Sequence, residues 1–154
     1  MSTDPERPIR ALFWRAGGTA LLLPAGAVVE VIAFVPPRPD AAAPGWTLGW
    51  IDWRGRAMPA VTLVPAASAA DASQSRRLLI CVGPGGGHDG GPFALDAAEQ
   101  PRLVSVAAAD LQPADPPAAD TTPGFLEAVR YRGEEALVPD LDALERALGE
   151  FHYR

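Results

Sequence analysis

Two copies of one short pattern, an aromatic residue followed by Arg-Gly, set the strongest limit on how this chain can fold. Trp53-Arg54-Gly55 recurs as Tyr131-Arg132-Gly133, displaced by 78 positions in a chain of 154. Residues of β-forming type flank each copy, and glycine supplies the positive φ that a tight reversal needs. A second correspondence lies upstream: Leu23-Pro24-Ala25 leading into residues 28–32 is echoed by Leu95-Asp96-Ala97 leading into residues 103–106. Each half therefore reads hairpin, bend, strand, proline-rich loop, aromatic–Arg-Gly hairpin. Two matches in the same order outweigh a chance likeness between glycine-turned hairpins. A repeat of this length predicts two similar small β-barrels packed together.

Composition agrees with an all-β chain, since 15 glycines and 17 prolines favour many short strands with tight turns over long helices. Strands are expected at residues 10–15, 19–23, 28–32, 77–83, 93–95, 102–106, 125–130 and 135–138. Residues 45–63 form the central hairpin. Loops are expected at 36–44, 83–92 and 112–123, and residues 64–74 read as a short helix or a linker. Alternation in the central hairpin places Trp46, Leu48, Trp50 and Asp52 on one face and Thr47, Gly49, Ile51 and Trp53 on the other. The carboxyl end is helical, with Leu141, Leu144, Leu148 and Phe151 on one stripe and Asp142 with Glu145 in the form of an N-terminal cap. Residues 1–8 read as a frayed tail, and residues 9–154 as one domain of two subdomains. The first is about 9–70 together with the C-terminal segment, and the second about 75–140.

Several functions are disfavoured. A net charge of −6 opposes nucleic-acid or anionic-membrane surfaces, which reward basic patches. The longest apolar stretch, 20–35, is broken by Pro24 and Glu30 and is too short to span a bilayer. Arginines at 7, 10 and 15 oppose a signal peptide, and the single cysteine, Cys81, fits a reducing compartment. A cytoplasmic location is therefore expected. The His88-Asp89 pair lacks companions for a metal site, and the glycine run beside it lacks the Gly-Lys-Ser/Thr ending of a phosphate loop. Cys81 reads as a small core residue, and no serine sits in a nucleophile elbow. No catalytic residue, metal or cofactor is expected.

The order Trp46, Gly49, Ile51, Asp52, Trp53, Arg54, Gly55 and Pro59 resembles the signature of CheW-type chemotaxis adaptors. The resemblance extends over about residues 11–144. It implies two pseudo-symmetric five-stranded, SH3-like barrels with a C-terminal helix and no enzymatic activity. It also implies two partners, the cytoplasmic tip of a chemoreceptor and the regulatory domain of a chemotaxis-type histidine kinase. Divergent members serve pathways that control type IV pili. The sequence departs from the family pattern at Asp52 (usually Asn), Thr62 (Asp), Pro92 (Gly) and Ala128 (Gly).

By that resemblance the candidate partner-binding residues are Arg54, Trp53, Asp52, Gly49, Val28, Glu30, Val31 and Leu78. Alternatives stand beside them. Arg54 is either a partner contact or a brace bonded to backbone carbonyls or Asp52. Trp53, too large to leave in water, is covered by a partner, by the sister barrel or by its own core. Glu30 interrupts an apolar run and must point outward or find a partner. A ligand-binding or structural barrel without a kinase partner remains the competing class.

Overall fold

The computed structural model describes residues 7–16, 19–42, 46–63, 76–82, 91–115 and 126–152. The stretch 64–74, the His88-Asp89 tip and most of loop 112–123 lie outside them. The strands are β1 (Ile9–Ala16), β2 (Thr19–Pro24), β3 (Val28–Ala33), β4 (Thr47–Trp53), β5 (Arg56–Val61), β6 (Arg77–Cys81), β7 (Phe93–Ala97), β8 (Arg102–Val106), β9 (Leu111–Pro113), β10 (Leu126–Tyr131) and β11 (Glu134–Pro139). Helix α1 (Leu141–His152) follows.

The strands form two curled sheets whose orders superimpose. The first barrel, which carries the Trp53-Arg54-Gly55 tip, runs β3-β6-β7-β5-β4; the second, which carries Tyr131-Arg132-Gly133, runs β8-β1-β2-β11-β10-β9. Replacing each strand by its counterpart in the other half converts one order into the other, β9 aside. Even the single parallel pairing is duplicated, as Ala60↔Ala94 between β5 and β7 and as Ala136↔Ala20 between β11 and β2. The two expected barrels are present, the second with a sixth short strand.

Sheet membership differs from a division into sequence halves. Hairpin β1–β2 belongs to the second barrel and hairpin β6–β7 to the first, so each barrel borrows a hairpin from the opposite half. The cause is the bend after β2, where a 3-10 turn at Ala25–Ala27 redirects the chain into the other sheet.

Three apolar clusters follow. Ile51, Met58, Ala60, Leu78, Ile80 and Ala94 fill the first barrel. Ala11, Phe13, Ala20, Leu22, Val106, Tyr131 and Ala136 fill the second. Trp14, Leu21, Leu23, Val61, Leu79, Phe93 and Leu95 form the seam between them, closed by Leu141, Leu144 and Leu148 of α1. Alternation along β1 sends Phe13 into a barrel and Trp14 into the seam, and both faces are buried.

Two sequence expectations need correction. The helix cap is Asp140, whose Oδ1 accepts from the Ala143 amide at 3.1 Å. Glu145, on the stripe between Leu141 and Leu148, is buried. The helix begins at Leu141, so Asp142 already lies inside the first turn and the residue before Leu141 takes the cap. The side chain of Phe151 lies outside those described. In β4 a bulge between Thr47 and Gly49 shifts the alternation. Leu48 consequently packs with Trp53 against the first barrel's core, on the face opposite to the one expected.

Candidate protein-docking surface

The tip of the β4–β5 hairpin is a two-residue turn in which both residues have positive φ, Arg54 at 49° and Gly55 at 75°. This geometry matches the right-handed twist of the flanking strands. It points the Arg54 side chain away from the barrel, and that side chain is 68% exposed.

Two neighbours hold the arginine. Its guanidinium lies over the Trp53 ring, 4.6 Å from the centroid, and one nitrogen approaches Glu30 Oε2 at 3.8 Å. Trp53 Nε1 donates to the same Oε2 at 2.5 Å. Trp53 is covered by its own barrel, since its ring packs against the core of Ile51 and Met58. Glu30 does not point into solvent as a free carboxylate; it ties edge strand β3 to the hairpin at the opposite end of the sheet order. That contact helps to close the sheet into a barrel.

Asp52 does not brace Arg54. It accepts from Arg38 at 2.8 and 3.4 Å. Arg38 is delivered by the segment after β3, which pairs with β4 through reciprocal backbone bonds between Arg38 and Trp50 at 2.8 and 2.9 Å. Gly49 lies under that crossing with φ of 130°, and a Cβ there would sit 2.0 Å from the Arg38 carbonyl oxygen. Farther along, Trp50 Nε1 donates to Asp40 at 3.0 Å, and this bond, with the Ala42 amide, holds the Asp40 carboxyl below its ordinary range.

Two candidates therefore leave the surface. Gly49 is buried and makes room for a backbone crossing. Leu78 is 0% exposed inside the first barrel, because both faces of β6 are covered. A residue without surface cannot meet a partner. Val28 is half-buried against the seam, and Val31 is exposed.

Sequence reading missed Val29 and Val35, which are exposed with Val31 on and just beyond the edge strand. It also missed Arg38. Burial along β3 alternates despite a bulge between Val28 and Glu30, so period-two reading would have placed Val29 with Val31 on the outward face. Arg38 sits in a proline-rich stretch that reads as loop.

The second tip repeats the first. Arg132 has φ of 49° and Gly133 of 80°. The Arg132 guanidinium lies 5.3 Å from the Tyr131 centroid and 3.6 Å from Asp110 Oδ1. Tyr131 is buried against Phe13, with centroids 5.9 Å apart, so this tip is seated more deeply than the first.

With this arrangement established, the sequence profile of the CheW-like domain matches residues 10–148. The chain belongs to the CheW-like family. Its fold is similar to that of the scaffolding protein TtCheW from Thermoanaerobacter tengcongensis, with a TM-score of 0.70 at 17% identity, over 87% of this chain and 85% of that one. A comparison with curated protein sequences found no match. In this CheW-like domain the aromatic–Arg-Gly signature is thus a built object: a cation held over an indole and steered by a carboxylate from another strand. Among the described residues no group of three or more His, Cys, Asp or Glu side chains could hold a metal ion. No helix there is long and apolar enough to cross a membrane.

Proposed function

We propose that this chain is a non-enzymatic cytoplasmic adaptor that couples chemoreceptor tips to a chemotaxis-type histidine kinase. It works through protein–protein contacts, in a pathway that moves flagella or type IV pili. The observation that carries this reading is the surface made by Arg54 and edge strand β3. An exposed guanidinium, preset over Trp53, approaches Glu30 of the edge strand, whose sequence neighbours Val29 and Val31 are exposed. A charged anchor next to apolar area suits a protein partner that presents a carboxylate beside its own apolar patch. Asp52 stands two residues before Arg54 on the strand that leads to the tip, and Glu30 contacts both Arg54 and Trp53. A ligand-binding barrel is less well supported, because side chains fill the interiors of both barrels.

Arg54→Ala should weaken binding to the kinase regulatory domain or the receptor tip by about 2–5 kcal/mol and leave the melting temperature close to that of the parent. Calorimetric titration and thermal denaturation on one preparation test both halves of the claim. Unchanged affinity with a lowered melting temperature would make Arg54 a structural brace and overturn the assignment.

A further inference from the structure

The seam between the barrels is largely apolar; apart from Glu145 of α1, which is buried with one carboxylate oxygen lacking a hydrogen-bond partner among the described protein atoms, its polar groups gather at one place. There Trp14 and Ala16 of β1 and Leu21 of β2 meet Thr62, Leu63, Leu95, Asp96 and Ala98 around a cavity of about 10 Å³. Its wall thus comes from both barrels. Trp14 is 1% exposed, and its indole N–H has no hydrogen-bond partner among the described protein atoms. Such a donor is costly when left unmet, and buried indole nitrogens usually find a partner.

A carboxylate also lines the cavity. Asp96 is held by Arg76, with Nε to Oδ1 at 2.9 Å and Nη2 to Oδ2 at 3.1 Å. The Arg76 guanidinium in turn lies 3.7 Å from the centroid of Phe34. Each carboxylate oxygen can accept more than one bond, so Asp96 keeps acceptor capacity after Arg76 is satisfied.

We infer that this cavity is a built site for one buried water, which accepts from Trp14 Nε1 and donates to Asp96 across the seam. The volume admits the centre of one water molecule, and the polar groups on its wall supply the partners such a water requires. The polar chain Arg76–Asp96–water–Trp14 then joins the two barrels. It fixes how one sits against the other, because apolar contacts alone tolerate sliding and a directional bond does not. This inference is independent of the adaptor reading.

Water-selective NMR on the full chain tests it, with the Trp14 indole proton assigned through Trp14→Phe. The expected result is a cross-peak from that proton to water, with NOE and ROE of the sign shown by water held longer than the molecule tumbles. Its absence overturns the proposal. Ala16→Val gives a second reading by filling the cavity. Expulsion of a bridging water strands the indole N–H and should lower the melting temperature by about 2–4 °C. A rise in melting temperature would show that the cavity was dry and that the added methyl groups merely filled a void.

Discussion

The Trp53 indole nitrogen donates to Glu30 at 2.5 Å and so joins two strands at opposite ends of one sheet order. Strands β3 and β4 have no ladder between them. This bond and the Arg38–Trp50 bridge hold the sheet curled. Because the same carboxylate oxygen faces Arg54, closing the barrel and aiming the exposed cation are one act. A change at Glu30 should therefore separate them by chemistry.

Glu30→Gln keeps an acceptor for the indole and removes the charge opposite Arg54. It should retain nearly the parental stability. Glu30→Ala leaves Trp53 Nε1 without its partner and should destabilise the domain by about 1–2 kcal/mol. Denaturant midpoints of the two variants check the contrast; equal losses would mean that the charge, not the hydrogen bond, holds the strands.

Gly49 and Gly55 should respond very differently to alanine. At Gly49 the new Cβ would lie 2.0 Å from a carbonyl oxygen, on a backbone with φ of 130°, so Gly49→Ala should cost about 3 kcal/mol or more. At Gly55 nothing lies within 4 Å of the added Cβ. Only the positive φ opposes the change, and Gly55→Ala should cost about 1 kcal/mol. Chemical denaturation of both variants tests the order.

Leu144 is fully buried in the seam under α1. Leu144→Ala should cost about 2–5 kcal/mol. A variant that melts like the parent would mean that the helix is detached in solution.

Cys81 gives stability a dependence on alkaline pH. Burial pushes its thiol up to about 12, whereas an unfolded thiol ionises near about 8.5. The native state then keeps a proton that the unfolded state releases, so stability falls as pH rises from about 8.5 towards 12, with a limiting slope of about 1.4 kcal/mol per pH unit. Urea midpoints across that range should decline in the parent and decline less in Cys81→Val. The native thiol should also resist alkylation at neutral pH.

Much of the fold was legible because the signals were local. The β-branched and leucine runs of β3, β6 and β8, the Arg-Gly turns and the stripe of α1 each depend on neighbours in sequence. What was hidden depends on contacts distant in sequence. Nothing near Asp52 announces that Arg38 will take it, and nothing near Leu78 says that both faces of its strand will be covered. The bulge at Thr47/Gly49 defeated simple alternation in β4, a strand that carries the site. The cap was misplaced by two residues because Asp140 and Asp142 both suit that position, and only the helix start separates them. Arg54 was legible as a tip residue, but its carboxylate partner came from β3, not from Asp52.

The exchange of hairpins between the two barrels has a consequence for how the repeats could exist apart. One repeat, standing alone, holds strands for both sheets and completes neither: β1–β2 lacks β10 and β11, while β3–β5 lacks β6 and β7. Two identical copies of such a repeat would complete each other, each donating a hairpin across a twofold axis. The present chain has the topology that such an intertwined pair would have if fused end to end. Severing it between the repeats would yield two interlocked fragments, inseparable without unfolding, and not two free modules.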